Sequence, residues 1–434
     1  MHEQQDFSVY TLRRQELVSR IKADNKVHAG SVVLICAGFE HDRVHFLQES
    51  SFFYFTGLEE PAAVALLDFE GASTLYLPQC GVDRAIWIAP MAVALEQNNS
   101  SILGFDTITC LGQKVSGYQM HLFFTAAEYE YLRARLASVV ASGGSVFTCI
   151  PKNTSDSFAG QRFVVERLQS MIAGMTEVLV DISPIVASMR RVKTAEEVEY
   201  ISRAIEVTAV AQEAAGKAIA DGVNESEVQA SLEYMITGSG ARMAFPSIVA
   251  SGVNGTILHY HSNDRTMLSG DLVVVDIGAQ VQGYCADITR TYPVSGSFTK
   301  RQKELYQLVL DVQSYIADLA KPGMWLSNKE HPEQSLNHLA KKYLADHGGY
   351  DQYMPHGIGH FLGLDVHDVG DSLVPLQEGD VITIEPGIYI RQEGIGIRIE
   401  DNYWIVAGGA VCLSDEIPKQ MREVEALVKE RFSA

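Results

Sequence analysis

Two acidic residues, Asp276 and Asp287, interrupt the otherwise apolar segment DLVVVDIGAQVQGYCADITRTYPV. The segment reads as two strands joined by a turn near Val281, Gln282 and Gly283. With the turn centred between Val281 and Gln282, Asp276 lies opposite Asp287 and their β-carbons are about 5 Å apart. Opposed like charges on a buried sheet are unfavourable unless one proton is shared or a cation sits between them. A register shifted by one residue would move one carboxylate to the other face, so this pair alone fits a structural turn or cap residue equally well.

The same construction recurs in VITIEPGIYIRQEGIGIRIEDNYWIV. A turn at Gln392 and Glu393 places Glu385 opposite Glu400. Alternation in the second strand puts Ile395, Ile397 and Ile399 on one face and Gly396, Arg398 and Glu400 on the other, so Arg398 projects beside the carboxylates. Pro386 is unsuited to a central ladder and marks Glu385 as sitting at a strand edge or bulge. Between the two hairpins, MPHGIGHFLGLDVHDVG sets His356, His360 and His367 among glycines that let backbone approach a bound group closely. Four carboxylates and an imidazole form a hard, oxygen-rich donor set suited to Mn²⁺, Mg²⁺, Fe²⁺ or Co²⁺ rather than to a structural zinc site of the cysteine type. Four negative charges balance two divalent ions, which favours a dinuclear centre. Two ions about 3.5 Å apart can share a hydroxide and polarise a carbonyl, the equipment of an aminopeptidase or a phosphoesterase. The phosphoesterase reading is the weaker, because such sites draw on more histidines and asparagines than this chain offers there.

The elements that must position these residues are legible around them. Thr194 followed by Glu197 is an N-terminal capping signature, and the apolar spacing beyond it predicts a long helix closed by Asp221-Gly222. A second helix is predicted over 224–238 and a helix pair between 299 and 348. Strand-like runs occupy 246–250, 271–281, 284–292, 379–390 and 395–406, giving an α+β half with antiparallel strands. The first part begins with a charged amphipathic stretch, 8–24. It then alternates short apolar runs (SVVLICAG, AAVALLD, STLYLP) with helical patterns, as a small α/β domain does. A helix ending at Gly174 and a short strand closed by Pro184 place the boundary near 176, so the domains are expected at 1–175 and 176–434.

With 434 residues, 47% hydrophobic and 20% charged, the chain suits two compact folded domains. A net charge of −20 argues against a nucleic-acid partner, since binding phosphates requires a basic face. The six cysteines are far apart and form no C-x-x-C pair, which reads as reduced thiols and a cytoplasmic protein. No secretory signal opens the chain. No uncharged apolar run reaches the roughly 18 to 20 residues of a membrane helix.

These motifs, in this order over 176–434, resemble the pita-bread metallopeptidases, the family that includes methionine aminopeptidase, aminopeptidase P, prolidase and creatinase. The resemblance implies an α+β pita-bread catalytic domain. Its five metal ligands would be Asp276, Asp287, His360, Glu385 and Glu400, with Asp287 and Glu400 bridging two divalent ions. Mn²⁺ is the foremost candidate, ahead of Co²⁺, Fe²⁺ or Zn²⁺. TLRRQELVSRI and FLQESSFFYFTGLEEPAAVALLD are similar to the non-catalytic N-terminal domain of aminopeptidase P and prolidase, which disfavours methionine aminopeptidase and creatinase. The implied activity is release of the N-terminal residue from short peptides with proline second. The alternatives are an Xaa-Pro dipeptidase and an inactive binding module, the last disfavoured because all five ligands are present.

By the same resemblance Glu385 is the proton acceptor, and His259 and His367 line the substrate site. His356 walls the pocket near the proline ring, and Arg398 orients Glu400 or relays protons through Tyr284 or water. Trp87 is similar in context to a tryptophan that lines the pocket across a subunit contact in some relatives. His41, His45 and His261 read as ordinary residues. The connections GDSLVPLQEGDV and RQEG are short, and the first lacks an arginine common in aminopeptidase P, which leaves substrate length open. A homo-oligomer, dimer or tetramer, is the family's habit.

Overall fold

The computed structural model describes residues 7–40, 45–80, 86, 103–115, 125–151 and 158–430. Trp87 and His41 lie outside them. The chain forms two compact units that divide between Arg190 and Arg191.

The first unit is built on a six-stranded mixed sheet, in the order β4-β3-β2-β1-β5-β6. Its strands are β1 (Val32–Cys36), β2 (Val64–Asp68), β3 (Ser73–Leu77), β4 (Thr107–Cys110), β5 (Val146–Thr148) and β6 (Leu179–Asp181). The described helices are α1 (Ser8–Asp24), α2 (Ser50–Thr56), α3 (Glu130–Ala141), α4 (Ala159–Met171) and α5 (Ser183–Arg191). The expected boundary near 176 is about a strand and a helix too early. The helix α4 ends at Met171 and Gly174 takes a left-handed conformation in the turn beyond it, after which β6 returns to pair parallel with β5 and completes the first sheet.

The second unit is α+β, with every described strand pair antiparallel. Its first helix, α6 (Ala195–Ala218), starts at the expected capping box of Thr194 and Glu197. Asn224 with Glu227 caps α7 (Glu225–Gly238) in the same way. Then follow β7 (Arg242–Met243), β8 (Ile248–Ser251), β9 (Leu272–Ile277), β10 (Ala279–Val281), β11 (Tyr284–Cys285) and β12 (Ile288–Pro293). Helices α8 (Lys300–Leu319) and α9 (Leu336–Asp346) lead into β13 (Val381–Ile384), β14 (Gly387–Ile390), β15 (Ile395–Arg398), β16 (Asp401–Val406) and β17 (Gly409–Cys412), and α10 (Met421–Lys429) follows. Every residue of β9 and β12 is buried, and Val273, Val275, Tyr292, Tyr306, Ile397 and Ile405 belong to one continuous core. Among the described residues no helix is long and apolar enough to cross a membrane.

The first hairpin departs from its expected register. Val281 pairs with Tyr284, so the turn residues are Gln282 and Gly283, with φ of 50° and 83°. A two-residue hairpin turn of this type needs positive φ at both central positions, and glycine takes the second without strain. The ladder therefore sets Asp276 opposite Thr289, and Asp287 is not its direct partner. The error is two residues in pairing, an even number, so Asp287 keeps its face. The second hairpin has the expected register: Gly387 pairs with Arg398 and Ile384 with Asp401, which leaves Glu385 across from Glu400.

Candidate metal centre

Both hairpins break their ladders at the carboxylates. Asp287 falls between β11 and β12, beside Gly278, where any Cβ would collide with the Ala286 carbonyl oxygen. Glu385 and Pro386 fall between β13 and β14, and Ile399 and Glu400 between β15 and β16. At these breaks a side chain leaves the sheet surface and turns into a hollow. Gln212 of α6 spans the first break, donating to the carbonyls of Val275 and Ile288 at 3.2 and 2.8 Å. Gln313 of α8 does the same at the second, to Ile384 and Ile399 at 3.2 Å each.

All nine residues assigned to the site line one cavity of about 210 Å³: Asp276, Asp287, His360, Glu385, Glu400, His259, His356, His367 and Arg398. Leu258, Gly357 and Gly359 complete its wall. A slightly larger hollow of about 250 Å³ in the first unit holds no comparable set. Its Asp68 accepts the backbone N–H groups of Glu70, Gly71 and Ala72, and its Asp106 accepts from Ser73.

Ligand atoms of Asp287, His360 and Glu400 all lie within 4.8 Å of one another. His360 Nε2 is 3.4 Å from Asp287 Oδ2 and 3.6 Å from Glu385 Oε1. Its Nδ1 lies 3.0 Å from the Phe361 carbonyl; with the proton on Nδ1, the Nε2 lone pair faces the carboxylates. Asp276 Oδ1 and Asp287 Oδ1 are buried with no hydrogen-bond partner. Burial first, then the charges of Asp276 and Glu385, pushes the Asp287 carboxyl well above the usual range. Glu400 is raised likewise by burial and by Asp287, and Glu385 chiefly by burial, against the pull of His360 and Arg398. Orphaned oxygens and mutually repelling carboxylates are what a pair of divalent cations would satisfy, so the residues fit such a centre.

Arg398 organises the wall. Its Nη2 meets Asp276 Oδ2 at 2.6 Å, Nη1 donates to the Tyr389 hydroxyl at 2.9 Å, and Nε donates to Thr289 Oγ1 at 3.0 Å. Thr289 donates in turn to Glu400 Oε2 at 2.7 Å, so Arg398 reaches Glu400 only through this threonine. His356 Nε2 lies 2.9 Å from the Tyr389 hydroxyl and Nδ1 lies 2.7 Å from the Gly357 carbonyl. Burial, then Arg398, lowers its pKa to about 4. His367 stands exposed at the rim, its ring stacked on His360 at 4.0 Å, and its pKa is lowered to about 4 by desolvation and by His360. His259 is also exposed at the rim. His261 is not in the wall, as expected, and His45 is exposed.

A relay through Tyr284 does not fit. Its hydroxyl donates to Glu197 at 2.8 Å and its ring stacks on Tyr200, away from the cavity wall. Tyr389, and not Tyr284, is the tyrosine hydrogen-bonded to Arg398, and strand alternation from Gly387 carries the signal that would have found it. Asn402 was also missed; it brackets the Asp287 backbone, donating to its carbonyl at 2.6 Å and accepting its N–H at 3.2 Å.

Comparison with known proteins agrees with this geometry. Residues 199–407 match the model of metallopeptidase family M24, and residues 10–126 match the aminopeptidase P N-terminal domain. The chain is 33% identical to the Xaa-Pro aminopeptidase of Escherichia coli, covering 96% of each chain. The Xaa-Pro dipeptidase of Pyrococcus furiosus is 40% identical, over 54% of this chain and 66% of that one. Zinc-substituted aminopeptidase P of Escherichia coli in complex with product superposes with a TM-score of 0.80 at 29% identity, covering 99% of this chain and 100% of that one. With an aminopeptidase P domain ahead of an M24 unit whose carboxylates and histidine converge on one cavity, the chain belongs to the aminopeptidase P group of metallopeptidase family M24.

Proposed function

We propose that the protein is an Xaa-Pro aminopeptidase, hydrolysing the bond between the first residue and a proline in second position of short peptides. The observation that carries this reading is the single cavity in which Asp276, Asp287, His360, Glu385 and Glu400 meet His259, His356, His367 and Arg398. Two divalent ions held by those five ligands supply Lewis acidity toward a water and the scissile carbonyl. Mn²⁺ is the first choice on the oxygen-rich donor set, with Co²⁺, Fe²⁺ or Zn²⁺ as alternatives.

In this reading Asp287 and Glu400 would help to hold both ions, and Glu385, whose proton affinity is raised by burial, takes the proton of the attacking water. The imidazoles of His259 and His367 at the rim donate a hydrogen bond to the carbonyl oxygen as it gains charge. His356, half-buried and uncharged above pH of about 4, presents its ring face to the proline and keeps its orientation through Tyr389 and Gly357. Arg398 holds Asp276 in its ligand orientation and, through Thr289, Glu400. A cytoplasmic homo-oligomer, dimer or tetramer, is part of the same proposal.

The identity with the Pyrococcus furiosus dipeptidase, 40% but over only 54% of this chain against 33% over 96% for the Escherichia coli enzyme, supports a second reading as a prolidase. Metal-stripped protein assayed on Ala-Pro and Ala-Pro-Ala before and after Mn²⁺ is restored separates the two. Mn²⁺-dependent release of alanine from the tripeptide is the expected result. Cleavage of the dipeptide alone makes the protein a prolidase, and cleavage of neither leaves a binding module.

A further inference from the structure

His367 projects from a loop at the open rim, its ring stacked on His360. A side chain so exposed is held less by packing than by the backbone that carries it. The residue after it is held firmly. Asp368 Oδ2 meets Lys193 Nζ at 2.9 Å, with both side chains only 1% exposed. Asp368 Oδ1 accepts the Val369 N–H and the Asp368 N–H donates to the Phe361 carbonyl, each at 2.9 Å. Space around the pair is tight: a Cβ on Gly363 would strike the Asp368 carboxylate and come within 2.8 Å of Lys193 Cε.

Lys193 is fixed in its turn. Its N–H donates to the Gly379 carbonyl at 2.8 Å, and Val192 bridges to Asp380. Arg191 binds both Asp380 oxygens, at 2.8 and 2.6 Å, while its guanidinium lies 4.7 Å from the centre of the Phe361 ring. The stretch Arg191–Val192–Lys193 thus straps down both ends of the segment that runs from Asp368 to Asp380. Stability alone does not account for the ion pair, because desolvation offsets most of the attraction between buried charges and a well-packed apolar pair often serves as well. A salt bridge supplies direction, which an apolar contact does not.

We propose that the buried Lys193–Asp368 ion pair is a positioning device for His367, fixing the backbone that aims its imidazole at the scissile bond. This rests on the reading of His367 as a substrate-facing residue, and the test separates failure of one from failure of the other. The metal-loaded full chain is compared with Lys193→Met, Lys193→Met/Asp368→Leu, His367→Ala and the triple variant. The readouts are Tm, Mn²⁺ affinity, and kcat and KM on Ala-Pro-Ala.

Lys193→Met alone leaves a buried charge unpaired and lowers Tm, and the double variant removes both charges and recovers most of it. The double variant is expected to lose about tenfold or more in kcat, with Mn²⁺ affinity within about twofold of the parent, since a small misplacement of a reacting group suffices for that. Added to His367→Ala, the same pair of changes is expected to lower kcat by less than about twofold, because the imidazole they aim is already gone. Parental kcat in the double variant, or losses that multiply with His367→Ala, would overturn the proposal. Full activity of His367→Ala would remove the reading of His367 itself and the proposal with it. Should the double variant not fold, Asp368→Glu decides: it keeps the ion pair but lengthens it by one methylene, so turnover must fall while Mn²⁺ affinity holds, and undiminished turnover refutes positioning.

Discussion

Replacing Thr289 by valine tests how the wall of the site supports the proposed metal ligands. Thr289 faces Asp276 across the ladder, and its hydroxyl donates to Glu400 Oε2 at 2.7 Å while accepting from Arg398 Nε at 3.0 Å. Valine keeps the β-branched shape and removes both interactions. A hydrogen bond to a charged group contributes about 1.5 to 3 kcal/mol, and here two buried charged groups each lose a partner. Arg398 retains Asp276 and Tyr389, so the larger deficit falls on Glu400. Expressed in ion binding, one such bond corresponds to a loss of about 10- to 100-fold in metal affinity. Mn²⁺ titration in chelator buffers, read by Tm and by Ala-Pro-Ala turnover, measures it directly. Thr289→Ser restores the hydroxyl and is expected to recover most of the affinity. Unchanged affinity in the valine variant, or a serine variant no better than valine, refutes the argument that this hydroxyl holds the ligand.

Asp287→Asn removes a charge from the proposed bridge at nearly constant size and is expected to abolish turnover with little change in the circular dichroism spectrum; retained activity would sink the ligand assignment. His259→Ala is expected to lower kcat with bound metal unchanged, and metal loss instead would make His259 a ligand. In metal-stripped protein the raised carboxyls of Asp287, Glu400 and Glu385 hold protons that the unfolded chain has already released. Their contribution to stability is full below the unfolded value of about 4 and is lost as pH rises through the folded values, at about 1.4 kcal/mol per pH unit for each such proton. Tm measured from pH 5 to 8 is therefore expected to fall more steeply with chelator than with Mn²⁺, and parallel curves would contradict this. Gln313→Leu removes a buried donor from the carbonyls of Ile384 and Ile399 and is expected to destabilise the protein by about 1 to 3 kcal/mol in urea unfolding, with an unchanged midpoint as the contrary result.

The carboxylates were legible because charge inside an apolar strand is costly enough to be conspicuous, and the alternation of strand side chains fixes which residues share a face. The second hairpin was read in register since Pro386 and the turn at Gln392 and Glu393 left one consistent pairing. In the first, Gly283 is the residue that specifies the turn, and centring one position early moved the partner of Asp276 from Thr289 to Asp287. The shift hid Thr289, whose hydroxyl matters only once it is known to face Asp276. The glutamines were invisible for a different reason. Gln212 and Gln313 sit on the buried faces of helices, where a polar residue declares a partner but not which one. The domain boundary was missed because a helix does stop shortly before Gly174, while the strand after it pairs with a distant neighbour that local pattern cannot name.

The glutamines also explain how a sheet can be opened at its centre without loosening. A ladder that breaks to release Asp287, or Glu385 and Glu400, loses pairing beside the break, and a backbone group buried there without a partner would cost about 1 to 3 kcal/mol. Gln212 and Gln313 each present two N–H donors from a helix and tie together a carbonyl from each strand of a broken hairpin. Gln212 is anchored in turn by the Tyr292 hydroxyl, which donates to its Oε1 at 2.9 Å. Gln313 also reaches Asp401, whose other oxygen pairs with the wholly buried Arg290 at 2.7 Å. Arg290 closes the circuit by donating to the Glu400 carbonyl at 2.7 Å. The carboxylates proposed as ligands thereby turn inward while helix side chains hold the backbone on either side of each break. That is the condition a preorganised metal site requires.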